Sequence, residues 1–514
     1  PRGLSHPPEG RFSCEITETQ AILCHFSHGG SRIFAVFSPV PSGQKGCAAP
    51  FIPLPAAATS YRGGGRRRFR SSLAPGHAVV SPPMPRTFPL PHDRLADLVR
   101  RFRTPFHLYE ERGIRAAARR IDRLLAALPG GGMAYYAVKA LPNPFILRIL
   151  ASEGLGADCS SLAELELCRV AGLSGEKIMF TSNETPEEEF RAAHEMGAIL
   201  NLDDLSHVDA VRDALSGRFP KTISFRYNPG AEREGNAIIG EPEKAKYGIP
   251  HAQIFEAYTR AKAFGAKRFG LHTMVVSNEP RARYHIETAR MLSALAAELR
   301  AKTGIEISFL NNGGGMGIPY RPGEPDGDWE AFAEGVAGAY REILSPAGLG
   351  GARFCVEWGR AITGPYGWLV TRAIRHKDTF RRYVGVDASM ADLMRPGMYG
   401  AYHHLTVSGK EEAPATETYD VVGSLCENCD KFAVARPLPR IEEGDLLCIH
   451  DTGAHGRAMG FNYNGKLRHA EWLIGEDGGA RLIRRPETLD DLFATLVPPV
   501  RFRAPAAASN ERNA

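Results

Sequence analysis

The chain has 514 residues, is 43% apolar and carries a formal net charge of +5 at pH 7. It is long enough for two domains with sizeable cores, and it holds no apolar run near the roughly 18 residues of a membrane-spanning helix. The positive charge is local: residues 1–83 hold nine Lys/Arg against three Asp/Glu, which leaves the other 431 near −1, without a footprint for nucleic acid.

Residues 1–86 are rich in Pro, Gly, Ser and Arg, include Arg66-Arg67-Arg68-Phe69-Arg70 and reach their first Met at Met84. That composition predicts a disordered or non-native extension, either translated upstream sequence or a transit peptide, with folding beginning near residue 87. The nine cysteines, at positions 14, 24, 47, 159, 168, 355, 426, 429 and 448, show no paired spacing, which predicts a reduced, cytoplasmic chain.

Within 87–115, the segment Thr104-Pro105-Phe106-His107-Leu108-Tyr109 reads as a strand able to join a later β domain. From there to residue 365, short β-rich runs that close on polar residues alternate with amphipathic stretches. The runs are 134–139, 156–160, 178–182, 199–203, 222–228, 269–275, 307–312 and 354–359. Helix starts between them are marked by Ser160-Ser161 before Leu162 and by Pro186 ahead of Glu187-Glu188-Glu189. Eight such units predict an α/β fold, a (β/α)8 TIM barrel over 116–365, with chemistry at the carboxyl ends of its strands. Lys139, Asp158, Ser182, Asp203, Asn228, His272, Asn312 and Glu357 fall there. From 366 to 500 the texture changes to short strands separated by Gly and Pro, with a helix at 489–496, which predicts an all-β barrel or sandwich. Residues 501–514 read as a disordered tail.

Several motifs stand at the predicted strand ends and loops. Lys139 ends an apolar run just before Pro142, where partial desolvation would lower its pKa and favour the neutral, nucleophilic amine. Gly313-Gly314-Gly315-Met316-Gly317 follows the seventh run and reads either as a plain loop or as an anion cradle at the place where this architecture binds phosphate. Glu357-Trp358-Gly359-Arg360 reads as a structural ion pair or as a carboxylate for a pyridine nitrogen. Cys426-Glu427-Asn428-Cys429-Asp430 has C-x-x-C spacing but no second ligand pair, so no metal is expected and one cysteine acting as proton donor is the other reading.

Together these segments resemble the alanine-racemase-like (fold type III) pyridoxal-phosphate enzymes, in particular the diaminopimelate decarboxylase branch, over about residues 100–498. Tyr136-Ala137-Val138-Lys139-Ala140 is similar to that family's cofactor-lysine motif, and Asn312 through Tyr320 to its phosphate loop. Glu357-Trp358-Gly359-Arg360 resembles E-P-G-R, and Arg395-Pro396-Gly397-Met398-Tyr399 with His403 resembles R-P-A-L-Y and its trailing histidine. Cys426 to Asp430 resembles C-E-S-x-D, and Asn462-Tyr463-Asn464 the late N-Y-N.

The resemblance implies pyridoxal 5'-phosphate held as a Schiff base on Lys139, with its phosphate on Gly313, Gly314, Gly315 and Ser277 and its ring nitrogen on Glu357. Asp158, His272, Gly359, Arg360 and His455 complete the cofactor's surroundings. Arg360, Arg395, Tyr399, Glu427 and His455 fall where the family holds the substrate's far end. Cys426, reaching across a head-to-tail homodimer, returns the proton to the α-carbon.

The departures are Met274 in place of a ring-stacking histidine, Val276 in place of a glycine, where it is expected to hinder approach to the phosphate, and His455 in place of a tyrosine, which reads equally as a surface histidine. The expected activity is that of a carboxy-lyase acting on meso-2,6-diaminopimelate to give L-lysine. The competing readings are decarboxylation of D-lysine or D-ornithine, racemisation on the same fold, and a non-catalytic homologue that binds a partner protein.

Overall fold

The computed structural model describes residues 88–235, 238 and 240–497, with the backbone of 11–16, 22–28 and 31–37. The chain divides into two units, 1–79 and 80–514. In the first, β1 (Arg11–Ile16), β2 (Ile22–His28) and β3 (Ser31–Phe37) pair antiparallel in that order. These three runs fall within the extension expected to be disordered or non-native. The rest of the extension and the tail expected at 501–514 lie outside the described residues.

The second unit opens with α1 (His92–Arg101), β4 (Phe106–Glu110) and α2 (Glu111–Ala126). The barrel follows: β5 (Gly132–Ala137), α3 (Pro144–Ser152), β6 (Gly156–Cys159), α4 (Leu162–Ala171), β7 (Ile178–Phe180), α5 (Glu187–Glu195), β8 (Ile199–Leu202) and α6 (His207–Ala214). It continues with β9 (Thr222–Asn228), the two-residue β10 (Ile249–Pro250), α7 (His251–Ala263), β11 (Arg268–Thr273), α8 (Ala282–Thr303), β12 (Ile307–Asn311), α9 (Trp329–Ala339) and β13 (Arg353–Val356). Every strand is parallel to its neighbours, and the pairings β8–β9 and β13–β5 close the ring of eight. All eight predicted runs are barrel strands, though most end up to three residues early, because their closing polar residues leave the ladder for the loops.

Side-chain alternation makes this ring a site. Tyr135, Met179, Ile199, Phe309 and Cys355 pack together as a plug. Two residues further along the same strands, on the same face, stand Ala137, Thr181, Asn201, Asn311 and Glu357. An apolar plug thus carries a polar layer at the strand ends.

The second sheet takes the order β18-β17-β15-β14-β4-β20-β21, built from β14 (Gly367–Asp378), β15 (Arg382–Val386), β16 (Leu405–Val407), β17 (Glu417–Val422), β18 (Lys431–Leu438), β19 (Leu446–Ile449), β20 (Ala470–Ile474) and β21 (Ala480–Arg484). β19 pairs with both β14 and β16. β4, which precedes the barrel in sequence, runs antiparallel to β14 and parallel to β20. Leu369, Val384, Val421, Phe432, Leu447 and Ile449 form the core of this region.

Glu471 of β20 joins it to the barrel. Its fully buried carboxylate accepts from Tyr109 Oη (2.8 Å), from Asn143 Nδ2 (3.1 Å) and from Arg484, and Asn143 caps the helix that follows Lys139. The helix expected at 489–496 is a single turn, Leu489–Leu492, closed by a Thr488/Asp491 capping box. No helix among the described residues is long and apolar enough to cross a membrane.

Candidate functional site

A cavity of about 440 Å³ opens at the carboxyl ends of the barrel strands, and Lys139 lines it. β5 stops at Ala137, and Val138–Ala140 form a 3-10 turn. The chain has to leave the ladder here: Pro142 offers no N–H, and Asn143 accepts from Phe145 N (3.0 Å) to start α3. Lys139 therefore stands on a turn, and its Nζ donates to Asp158 Oδ2 at 2.9 Å. This corrects the expected fall in its pKa. Burial works downward, but the carboxylates of Asp158 and Glu357 outweigh it and the ammonium is pushed up to about 12. Burial and the neighbouring Glu357 raise the Asp158 carboxyl against the pull of Lys139.

Glu357 is buried beneath the cavity as one member of a chain of hydrogen bonds. It accepts from His272 Nε2 (3.0 Å) and from Asn311 Nδ2 (2.8 Å), while Asn311 Oδ1 accepts from Gly313 N (3.0 Å). One buried amide thus spans the carboxylate and the glycine loop. Burial alone would raise the Glu357 carboxyl, yet His272, Lys139 and Arg226 hold it below the usual carboxylate range. Arg226, at 2.8 Å from Asp203 and 2.9 Å from Asn183, also lines the cavity. Neither Asn311 nor Arg226 was singled out from sequence. The polar strand ends were the available signal, but nothing there says which of them face one another.

The glycine loop cannot carry side chains. A Cβ on Gly313 would lie 2.2 Å from the Thr273 carbonyl oxygen, one on Gly314 2.7 Å from that of Glu357, and one on Gly315 2.5 Å from that of Val276. Gly313 and Gly315 also take φ of +70° and +108°. Ser277, Gly314 and Gly315 line the cavity. Val276 is buried outside the lining, with Cγ1 turned toward Gly315. Met274 does line the cavity, and its sulfur accepts from Gly314 N (3.3 Å). Gly359 sits where a Cβ would meet Ala140, packing the end of the eighth strand on the lysine turn.

These groups fit a phosphorylated pyridine aldehyde. They offer an amine, an ionised carboxylate, a loop without Cβ atoms, and buried polar atoms without partners, namely Asp158 Oδ1 and His272 Nδ1.

Beyond Lys139, Arg360 and Arg395 are 7% and 6% exposed and both donate to the hydroxyl of Tyr320, Arg395 at 2.7 Å. Neither has a carboxylate within 4 Å among the described residues. His455 lines the cavity rather than the outer surface. Its N donates to Ala140 O (2.8 Å), and burial followed by Arg360, Arg395 and Lys139 drives its pKa far down, leaving a neutral ring.

The remaining expected residues lie elsewhere. Tyr399 ends the helical turn Arg395–Tyr399, largely exposed and outside the cavity lining. Cys426 and Glu427 are exposed and line a separate cavity of about 550 Å³ with Arg375, Lys377 and Tyr383. Their loop is held by the buried Asp430, whose Oδ1 accepts from Met390 N (2.6 Å) and Oδ2 from Leu425 N (2.8 Å). A single chain thus gathers Lys139, Ser277, Gly314, Gly315, Glu357, Gly359, Arg360 and His455 around one cavity, with Asp158 behind Lys139 and with Cys426 and Glu427 outside it.

A family model described as pyridoxal-dependent decarboxylase, pyridoxal binding domain, matches residues 113–364. Protein TabA of Pseudomonas amygdali pv. tabaci is 42% identical over 406 residues, which is 79% of this chain and 93% of that protein. A diaminopimelate decarboxylase of Methanothermobacter thermautotrophicus is 34% identical over 79% of this chain and 94% of its own length. The crystal structure of a diaminopimelate decarboxylase from M. jannaschii in co-complex with L-lysine superposes with a TM-score of 0.73 at 29% identity, covering 79% of this chain and 95% of that one.

Proposed function

The chain belongs to the pyridoxal-dependent decarboxylases, in the diaminopimelate decarboxylase branch, and from that premise we propose that it converts meso-2,6-diaminopimelate to L-lysine in the cytoplasm, as a homodimer. It is a carboxy-lyase that uses pyridoxal 5'-phosphate. Bound pyridoxal phosphate supplies an electron-poor ring that takes up the electron pair left when carbon dioxide departs.

The chain's own residues do the rest. Lys139 Nζ, beside Asp158, would hold the aldehyde carbon, and the glycine loop with Ser277 would hold the phosphate. Glu357, kept ionised by His272, Lys139 and Arg226, would hold a proton on the ring nitrogen. Met274 in the cavity wall would contact the ring, with His272 buried behind Glu357, and His455 lines the cavity with a neutral imidazole. Arg360 and Arg395 grip the distal carboxylate of the substrate. Cys426 of a second copy returns a proton from Sγ to the α-carbon, and Glu427 and Tyr399 complete the distal pocket at the same interface. The outward-facing Cys426 and Glu427 support the dimer, and the free thiols of the described cysteines fit a reducing compartment.

The observation that carries this reading is the buried guanidinium pair without an internal carboxylate. Buried cations of this kind are strongly unfavourable until an anion joins them, and a planar carboxylate suits two guanidiniums. A second reading, decarboxylation of D-lysine or D-ornithine, draws on Met274 and His455. It would leave those two charges without a counter-ion. Steady-state assays of carbon dioxide release with the three amino acids separate the readings. Preference for meso-diaminopimelate, with L-lysine as product, is expected. Preference for a D-diamine overturns the first reading.

A further inference from the structure

Tyr320 lies in neither the cofactor lysine turn nor the glycine run, yet both distal arginines converge on it. Arg360 and Arg395 each donate to its phenolic oxygen, so both lone pairs of that oxygen are taken by guanidinium N–H groups. The Tyr320 side chain is buried, at 8% exposure, and its own O–H has no acceptor among the described residues. Arg395 leans on a second neutral partner: His403 Nδ1 donates to the His450 carbonyl (2.7 Å), which leaves Nε2 as acceptor at 3.4 Å from Arg395 Nη1. Burial, then Arg395, brings the pKa of His403 down to about 3, so this ring stays neutral. The Tyr320 ring stands edge-on to His403 with centroids 5.1 Å apart, and the Arg395 guanidinium lies 5.0 Å from its centre.

We infer that Tyr320 determines specificity for the substrate's distal end, bridging Arg360 and Arg395 at a fixed separation and presenting its own O–H as a third donor to the distal carboxylate. The inference rests on the proposed reading of a substrate with such a carboxylate. Two like charges cannot stay side by side in a buried site without something between them. A neutral oxygen serves that purpose without neutralising either charge, which keeps both available to the ligand. A carboxylate placed there by the protein would instead satisfy the pair permanently.

The test uses cofactor-loaded enzyme and three probes: meso-diaminopimelate as substrate, L-lysine as a ligand with a carboxylate, and 1,5-diaminopentane as the same chain without one. Tyr320→Phe keeps the ring contacts and removes the bridging oxygen. The expected result is a KM for meso-diaminopimelate and an equilibrium Kd for L-lysine raised by about 10- to 100-fold, the scale of hydrogen bonds to charged groups. kcat, cofactor content and diaminopentane affinity should be little changed. Arg395→Gln serves as the reference. If it weakens L-lysine and Tyr320→Phe does not, the Tyr320 inference is overturned and the distal-carboxylate reading stands. If neither weakens L-lysine, and diaminopentane binds as well as L-lysine, that reading fails and takes the inference with it. Equal weakening of all three probes, or loss of cofactor, makes Tyr320 a packing residue and also overturns the inference.

Discussion

Around Lys139, the polar side chains at the barrel strand ends are tied in two sets, Lys139 to Asp158, and His272 through Glu357 and Asn311 to the glycine loop. Around Cys426 the backbone is held just as firmly, by Asp430, but the thiol and the Glu427 carboxylate face outward. The first region gathers its polar groups around one cavity, whereas the second lines a separate one with Arg375, Lys377 and Tyr383, away from Lys139. Cofactor capture and proton return are therefore expected to separate under mutation, the first depending on the folded barrel and the second on assembly.

The largest expected effect tests that separation. Cys426→Ala should lower kcat by about 10²- to 10⁴-fold, the range for loss of a positioned proton donor, while cofactor content stays at the wild-type level. Mixing it with Lys139→Ala chains, themselves inactive, should restore roughly a quarter of wild-type activity if two-fold related copies share their sites and exchange at random. Mixtures that remain inactive after exchange would place the Cys426 function within one chain and erase the contrast.

A smaller effect concerns the seam that steadies the first region. Glu471→Ala leaves the buried Tyr109 hydroxyl and Asn143 amide without their acceptor, as well as unpairing Arg484, and should cost about 3–5 kcal/mol in unfolding free energy. Cofactor retention should weaken with it, since Asn143 lies four residues from Lys139. A loss below about 1 kcal/mol, the scale of an exposed pair, would mean the seam contributes nothing special.

The smallest is a pH effect. With the Lys139 ammonium pushed up to about 12, the neutral amine is scarce at pH 7. Its share rises about tenfold per pH unit up to 9. The rate of pyridoxal phosphate uptake by cofactor-free protein, followed by absorbance, should climb with that slope. Asp158→Asn removes the partner that raises the pKa most, so it should speed uptake at pH 7 and flatten the profile. A rate independent of pH in the wild type would show that Lys139 does not attack as the free amine.

The barrel was legible because its signal is local and repeated: an apolar run, a polar closing residue, a capped helix. The cofactor half was legible for the same reason, since each of its residues closes a strand or follows one. Lys139 shows where local reading stops. The apolar run through Val138 suggested strand and desolvation, but Pro142 and the Asn143 cap turn the chain two residues early and place the amine on a carboxylate. Tyr320, Asn311 and Arg226 act through partners between 23 and 75 positions away, and no spacing rule reports such pairings.

A covalent link at Lys139 Nζ can be read directly. Protein loaded with pyridoxal phosphate, reduced with borohydride, digested and sequenced by mass spectrometry should carry the pyridoxyl mass on the peptide containing Lys139 and on no other. A label on a different lysine, or none on fully loaded protein, contradicts the account.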